Sequence, residues 1–253
     1  MIQILETHAE VRLNEVGAFG SLRPTVLLDY LLDAAGTHAA HLGVGLEALN
    51  ERGLTWFLLR LHVRITRYPQ GGETMTVRTW PSGIQRLFFT REFVVTDAAG
   101  EQLAIGSSAW IAVSPATRRP IRPANLGVTF PWHPERPLPS ELGKLDAPEG
   151  ECLARAYRPL SSDIDQNQHV NSTVYPRWTL DCVPDVLRRE WLPSELDIAY
   201  LAETQYGDDN QARTQVGEDR TLHGLTRLAD GTELLRQATR WRLADSMLRR
   251  ADD

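Results

Sequence analysis

Thirteen residues in the second half of the chain, Asp163-Ile-Asp165-Gln-Asn167-Gln-His169-Val-Asn171-Ser-Thr-Val-Tyr175, gather carboxylates, amides and an imidazole at close spacing. A short strand-like run, Ala154 to Leu160, precedes them and an apolar-periodic stretch through Val186 follows, which puts the polar cluster at a strand-to-helix junction. There the free backbone N–H groups of a helix start and a titratable imidazole can converge on a carbonyl, a geometry suited to acyl chemistry. Residues rich in Asp, Asn and Ser also build solvated turns and caps, and this segment alone leaves that reading open.

The elements around the cluster have to place it. A helix is expected from about Ser172 to Leu187. Pro176 would remove a hydrogen bond from its interior, at a cost of about 3 kcal/mol. If Ser172 or Thr173 caps the helix, Pro176 falls in the first turn and the strain disappears, leaving Asp165, Asn167 and His169 on the irregular approach. Pro184 is placed to end or kink the helix early. Strands are expected near Glu195 to Gln205, Ala212 to Val216, Thr221 to Leu228 and Glu233 to Leu243.

The first half follows the same plan. Ala9 to Leu13 reads as an opening strand, and Pro24 to Leu42 as a helix with Leu27, Leu28, Leu31, Leu32, Ala35 and Ala39 along one face. Four strand-like segments come next: Leu54 to Thr66, Glu73 to Trp80, Arg86 to Thr96 and Gln102 to Ser114, with a hairpin turn at Asp97-Ala-Ala-Gly100. Asp97-Ala-Ala-Gly-Glu-Gln-Leu103 is echoed by Asp230-Gly-Thr-Glu-Leu234, each followed by a strand containing a tryptophan, Trp110 and Trp241. The order is α+β and suggests duplication. Ser114 to Glu149 holds eight of the fifteen prolines and reads as an extended linker over the surface. The divisions are therefore 1–123, a linker over 124–149, and 150–253.

Composition excludes several classes. At 253 residues with 42% hydrophobic content, the chain can bury a sizeable core. No apolar run approaches the roughly 18 to 20 residues that cross a bilayer, and the start lacks a basic, then apolar, leader, so a soluble cytoplasmic protein without membrane contact is expected. Two cysteines, Cys152 and Cys182, supply neither a disulfide framework nor a paired-thiol zinc motif. His38 and His41 lack a third ligand, so neither a metal nor any other cofactor is expected. A net charge of −6 argues against general nucleic-acid affinity.

Almost end to end, the chain resembles the acyl-ACP thioesterases, plant and bacterial enzymes that release fatty acids from acyl carrier protein. Asp165-Gln-Asn167-Gln-His169-Val-Asn171 is similar to the family signature before a helix. Leu196-Asp-Ile-Ala-Tyr200-Leu-Ala-Glu203-Thr204 is similar to the segment that sets a catalytic Glu three residues after a Tyr. In the first half, Gly53-Leu54-Thr-Trp56-Phe-Leu-Leu-Arg60, Arg67-Tyr68-Pro69, Thr79-Trp80, Arg91 with Phe93, and Ser108-Ala-Trp110 before Thr117-Arg118-Arg119 have family-like spacing. Thr204 departs from the pattern, standing where many plant members have Cys, and Ser172 and Pro176 alter the usual helix start.

The resemblance implies a tandem hotdog, each half an antiparallel sheet wrapped around a long central helix. It implies Asp165, Asn167, His169 and Glu203 as the catalytic set for thioester hydrolysis. Glu203 and His169 would activate a water, Asn167 would orient the thioester or the water, and Asp165 would fix its neighbours. The oxyanion would lie against N–H groups near the helix start. Direct attack by Glu203, giving an anhydride, stays open. The first half has no such set and is assigned to acyl-chain binding, with Leu27, Leu31, Ala35, Trp56 and Leu58 as candidate tunnel residues and Asn171 as a further substrate contact. Acyl carrier protein is the implied partner, docking on Arg118, Arg119 and Arg122 or on Arg188 and Arg189. An acyl-CoA thioesterase of the same fold and a noncatalytic acyl-binding hotdog protein are the rivals, with a hotdog dehydratase behind them; monomer and homodimer both fit.

Overall fold

The computed structural model describes residues 3–127, 131–139, 142–165 and 168–248, and contacts divide the chain into two units between Leu142 and Gly143. In the first unit, β1 (Leu5–Glu10) leads to α1 (Pro24–His41), the short α2 (Leu46–Asn50), then β2 (Thr55–Ile65), β3 (Thr74–Gln85), β4 (Phe88–Asp97), β5 (Gln102–Ser114) and β6 (Arg119–Pro120). Pro24 stands in the first turn of α1, where its missing N–H breaks no helical bond, and Leu27, Leu28, Leu31, Ala34 and Ala35 are buried along one face. The sheet is antiparallel in the order β1-β3-β4-β5-β2, with β6 paired to the end of β5. This is the expected hotdog layout, a sheet packed on a long helix.

The opening strand lies four residues earlier than expected. Glu10 pairs with Thr74, where β3 begins, so the ladder has run out before Leu13, which instead starts a 3-10 turn. The Pro-rich segment is also more than a surface crossing. Its first part belongs to the first unit: Leu126 is buried with Leu42, Val44, Leu49 and Phe89, and Trp132 packs against that cluster. The Trp80 indole N–H donates to the Glu135 carbonyl at 2.9 Å, and Arg136 Nε reaches the buried Glu92 carboxylate at 3.2 Å.

The second unit comprises β7 (Leu153–Tyr157), α3 (Val174–Asp181), α4 (Asp185–Glu190), β8 (Trp191–Tyr200), β9 (Asn210–Val216), β10 (Arg220–Arg227), β11 (Glu233–Leu243) and α5 (Ala244–Leu248). Its antiparallel order is β8-β11-β10-β9-β7, with α3 packed on β9, β10 and β11. The single long helix expected here is broken. Pro184 disfavours helical backbone at Val183, so α3 stops after 8 residues and α4 starts just beyond the proline. Asp97 and Asp230 each accept the N–H two residues on, at 2.9 and 3.0 Å, so the sequence echo between the halves is the same side-chain turn.

A polar seam runs through the core of the second unit. The Thr179 hydroxyl donates to Gln237 Oε1 at 3.0 Å, and Gln237 Nε2 donates to Thr239 at 2.9 Å. His223, fully buried, sits between the hydroxyls of Thr214 and Thr221, each 2.8 Å from a ring nitrogen. Each of these buried groups has a partner, as removal from water demands.

Candidate active site

The approach to α3 is pinned by Asp163, whose carboxylate is buried. Its Oδ2 accepts the Leu160 N–H at 2.9 Å, its Oδ1 takes Arg177 Nη2 at 2.6 Å, and its carbonyl accepts the Asn171 N–H at 2.8 Å. Between those anchors the chain doubles back, with Ile164 bridging to Val170, the Asp165 N–H donating to the His169 carbonyl at 2.8 Å, and the His169 N–H donating to Asp165 Oδ1 at 3.2 Å. Gln168 closes this loop in the left-handed region at φ 62°, a conformation costing a side-chain-bearing residue about 1 kcal/mol or more. The loop holds His169 by its backbone on both sides.

The helix start is occupied by its own residues. Asn171 Oδ1 accepts the Thr173 N–H and the Asn171 carbonyl accepts the Val174 N–H, both at 3.0 Å. Thr173 is the residue before α3, so Pro176 lies in the first turn, where no helical hydrogen bond is lost. The Asn171 amide oxygen is thereby committed to capping. Of the N–H groups near the helix start, where an oxyanion was expected to lie, those of Thr173 and Val174 are bonded to Asn171.

Glu203 was expected inside a strand and lies beyond it. Pairing ends at Tyr200 opposite Leu235, the N–H groups of Leu201 and Ala202 both reach the Leu234 carbonyl, and the chain then leaves the sheet. Off the strand, Glu203 Oε1 stands 3.1 Å from His169 Nδ1, with side chains 45% and 39% exposed, so water reaches the pair. A carboxylate accepts, so the hydrogen between them sits on Nδ1, and in the neutral form of the ring Nε2 is then the acceptor nitrogen. In that arrangement Nε2 can accept a proton and Glu203 is placed to orient the ring. Asp165 meets the same loop through the His169 backbone; Asn167 lies outside the described residues.

Three residues that help position the pair were given no role from the sequence: Asp163 and Tyr175, which bound the polar segment, and Arg227, which lies outside it. The Tyr175 hydroxyl accepts the Thr204 N–H at 3.0 Å, and Tyr200, at the end of β8, donates its hydroxyl to the Ser172 carbonyl at 3.1 Å. The two rings meet edge to face at 6.0 Å. Together they fasten the segment bearing Glu203 to the start of α3.

No thiol stands at this site among the described residues. The Thr204 hydroxyl lies 3.0 Å from both Asp208 Oδ2 and Asn210 Oδ1 and is buried. Cys182 is buried with its sulfur 3.6 Å from the Ala212 carbonyl, and burial raises its pKa, which disfavours thiolate.

The first unit carries a cavity of about 560 Å³, its mouth included, between α1 and the sheet. Leu32, Ala35, Gly36 and Ala39 line it from the helix, Trp56, Pro81, Phe89 and Trp110 from the strands. Of the expected tunnel residues, Ala35 and Trp56 line it, whereas Leu27, Leu31 and Leu58 are buried and do not. Trp56 and Phe89 meet edge to face at 5.0 Å, and the Trp56 indole donates to the Val44 carbonyl at 2.8 Å, which stiffens that wall. Arg91 gives the cavity one cationic point. It is buried, bonded at 3.1 Å to His38 Nδ1 and Thr79 Oγ1, and no carboxylate among the described residues pairs with it; desolvation lowers its pKa to about 10. His38 is thus tied to Arg91 while His41 is exposed, and among the described residues no group of three His, Cys, Asp or Glu could hold a metal. No helix among them is long and apolar enough to cross a membrane.

Residues 3–125 match the acyl-ACP thioesterase N-terminal domain and residues 147–243 the acyl-ACP thioesterase C-terminal domain. The chain is 31% identical to a chloroplastic palmitoyl-acyl carrier protein thioesterase of Gossypium hirsutum, over 94% of this chain and 64% of that one. It is 30% identical to a chloroplastic dodecanoyl-[acyl-carrier-protein] hydrolase of Cinnamomum camphora, over 93% and 67%. The chain therefore spans just under two thirds of the length of the Gossypium relative. Among solved structures, an acyl-ACP thioesterase from Bacteroides thetaiotaomicron superposes with a TM-score of 0.85 at 27% identity, covering 95% of this chain and 98% of that one. The 12:0-ACP thioesterase from Umbellularia californica gives 0.80 at 25% identity, covering 95% and 94%.

Proposed function

The chain belongs to the acyl-ACP thioesterase family, and from that premise we propose that it hydrolyses the thioester of a fatty acyl-acyl carrier protein to free fatty acid and carrier thiol. The observation that carries this reading is the contact of 3.1 Å between His169 Nδ1 and Glu203 Oε1 in a water-accessible position. Water attacks the thioester carbonyl carbon as its proton passes to His169 Nε2, and Glu203 stabilises the imidazolium that forms. Collapse of the tetrahedral intermediate breaks the C–S bond, and the imidazolium returns the proton to the departing sulfur. Asn167 is assigned to orienting the thioester or the water, and Asp165 to holding the His169 backbone. The test is thiol release by the folded protein from a panel of acyl-ACPs, read with a chromogenic disulfide; a panel in which no chain length releases thiol would refute the hydrolase reading.

The apolar cavity of the first unit is assigned to the acyl chain, with Arg91 marking the polar limit of its wall. A Cβ added at Gly36 meets nothing within 4 Å, so a larger side chain there would take space from the ligand rather than from the core. Gly36→Leu is expected to move the preferred substrate to shorter chains. Each excluded methylene forfeits about 0.8 kcal/mol, roughly fourfold in kcat/KM. An unchanged chain-length profile would remove the cavity from the account.

Carrier docking is assigned to Arg118, Arg119 and Arg122, which are exposed and pair with no carboxylate among the described residues. The alternative cluster is partly neutralised, since Arg188 and Arg189 both bond Asp185 at 2.9 and 3.2 Å. Reversing the three charges to Glu is expected to raise KM for acyl-ACP about tenfold or more at low salt, with the same acyl group on CoA unaffected. Equal effects on both carriers would contradict this surface.

A further inference from the structure

The peptide group that follows Glu203 is gripped at both ends. Its carbonyl, that of Glu203, accepts a hydrogen bond from Arg227 Nη1 at 3.0 Å, and its N–H, that of Thr204, donates to the Tyr175 hydroxyl at 3.0 Å. Neither grip is loose. Arg227 is locked by a two-point pair with Asp230, Nε to Oδ1 at 3.1 Å and Nη2 to Oδ2 at 2.8 Å. Tyr175 is 3% exposed, with its ring against Tyr200 and Trp178. Burial lifts the Tyr175 phenol to about 12, so the hydroxyl stays neutral and keeps accepting across the working pH range.

We propose that Tyr175 and Arg227 are positioning residues for Glu203. Glu203 has left the sheet, so no ladder sets its backbone, and a half-exposed glutamate has rotamer freedom that must be restricted for its carboxylate to be held in place. Fixing the plane of the following peptide fixes ψ of Glu203, and with it the direction from which the carboxylate approaches His169 Nδ1. The clamp joins elements distant in sequence: Tyr175 lies in the first turn of α3 and Arg227 at the end of β10. Neither residue needs to touch substrate. The inference rests on the reading of His169 and Glu203 as the reacting pair.

Tyr175→Phe keeps the ring packing and deletes only the acceptor. It is expected to lower kcat for acyl-ACP by about ten- to a hundredfold, the scale of a misplaced catalytic group, with KM unchanged and near-native melting. The deciding measurement is the double variant. In a Glu203→Gln background the Tyr175→Phe change is expected to cost nothing further, because its effect passes through the carboxylate. Arg227→Lys, which keeps a donor for the Glu203 carbonyl, is expected to retain more kcat than Arg227→Ala, and this pair carries the test if Tyr175→Phe does not fold. Wild-type kcat in Tyr175→Phe, or an equal loss in both backgrounds, would overturn the clamp while leaving hydrolysis intact. A wild-type protein that hydrolyses nothing would instead remove the reading on which the clamp rests.

Discussion

His169→Ala and Glu203→Gln are each expected to lower kcat for acyl-ACP by about 10²- to 10⁴-fold, the range for losing a positioned acid-base group. Both side chains are half exposed and neither anchors the core, so folded protein should be recovered with unchanged near-ultraviolet dichroism. KM should move little. The two losses should not add: with the imidazole gone, Glu203 has nothing to orient, and the double variant should sit close to the worse single one. The pattern also separates the two chemical schemes. Had Glu203 attacked the carbonyl itself, Glu203→Gln would abolish turnover and an acyl-protein adduct would be trapped in the His169→Ala variant by acid quench and mass measurement. The water scheme predicts no adduct.

The second large effect concerns acid. His223 is wholly buried between two threonine hydroxyls, and burial lowers its pKa from the usual 6.5 to about 3. Unfolded, the imidazole takes up a proton near pH 6.5; folded, it stays neutral down to about pH 3. Across that window the unfolded state binds more protons, so the stability contributed by the neutral ring is present above pH 6.5 and drains as pH falls. The slope approaches 1.4 kcal/mol per pH unit, or roughly 2 to 3 kcal/mol lost by pH 4.5. Glu92 and Asp181, whose pKa values burial raises, act in the opposite sense, so the comparison of interest is between wild type and His223→Gln. Urea midpoints measured from pH 7 to 4.5 should fall less steeply in the variant. Parallel curves would show that His223 does not govern the acid response.

How much of this was legible in the chain follows from the range of the interactions. The helix Pro24–His41 and the strand Gln102–Ser114 were readable, because a proline in the first turn, a leucine stripe and a turn at Asp97 to Gly100 are local signals. The break at Pro184 was marked by the proline itself, yet apolar periodicity across it concealed that α3 ends before it. The end of β8 was not readable, since it is set by where its partner β11 begins, and so Glu203 looked like a strand residue. Ala35 and Trp56 could not be told from Leu27, Leu31 and Leu58 by type; only the packing separates a cavity wall from solid core. Tyr175 and Arg227 act on a backbone group 29 and 24 residues away through single hydrogen bonds, and no spacing rule encodes such a contact. His169 and Glu203 emerged together only through the family resemblance, as their 34-residue separation has no periodic meaning.

The most direct test presents one acyl group on two carriers. Thiol release from the acyl-ACP and from the matching acyl-CoA, at the chain length the protein prefers, should give a kcat/KM higher for the carrier protein by about tenfold or more, and Glu203→Gln should lower both by about 10²- to 10⁴-fold. Equal or greater turnover of the CoA ester would contradict the assignment of carrier, and no thiol from either by folded wild-type protein would contradict the enzyme itself.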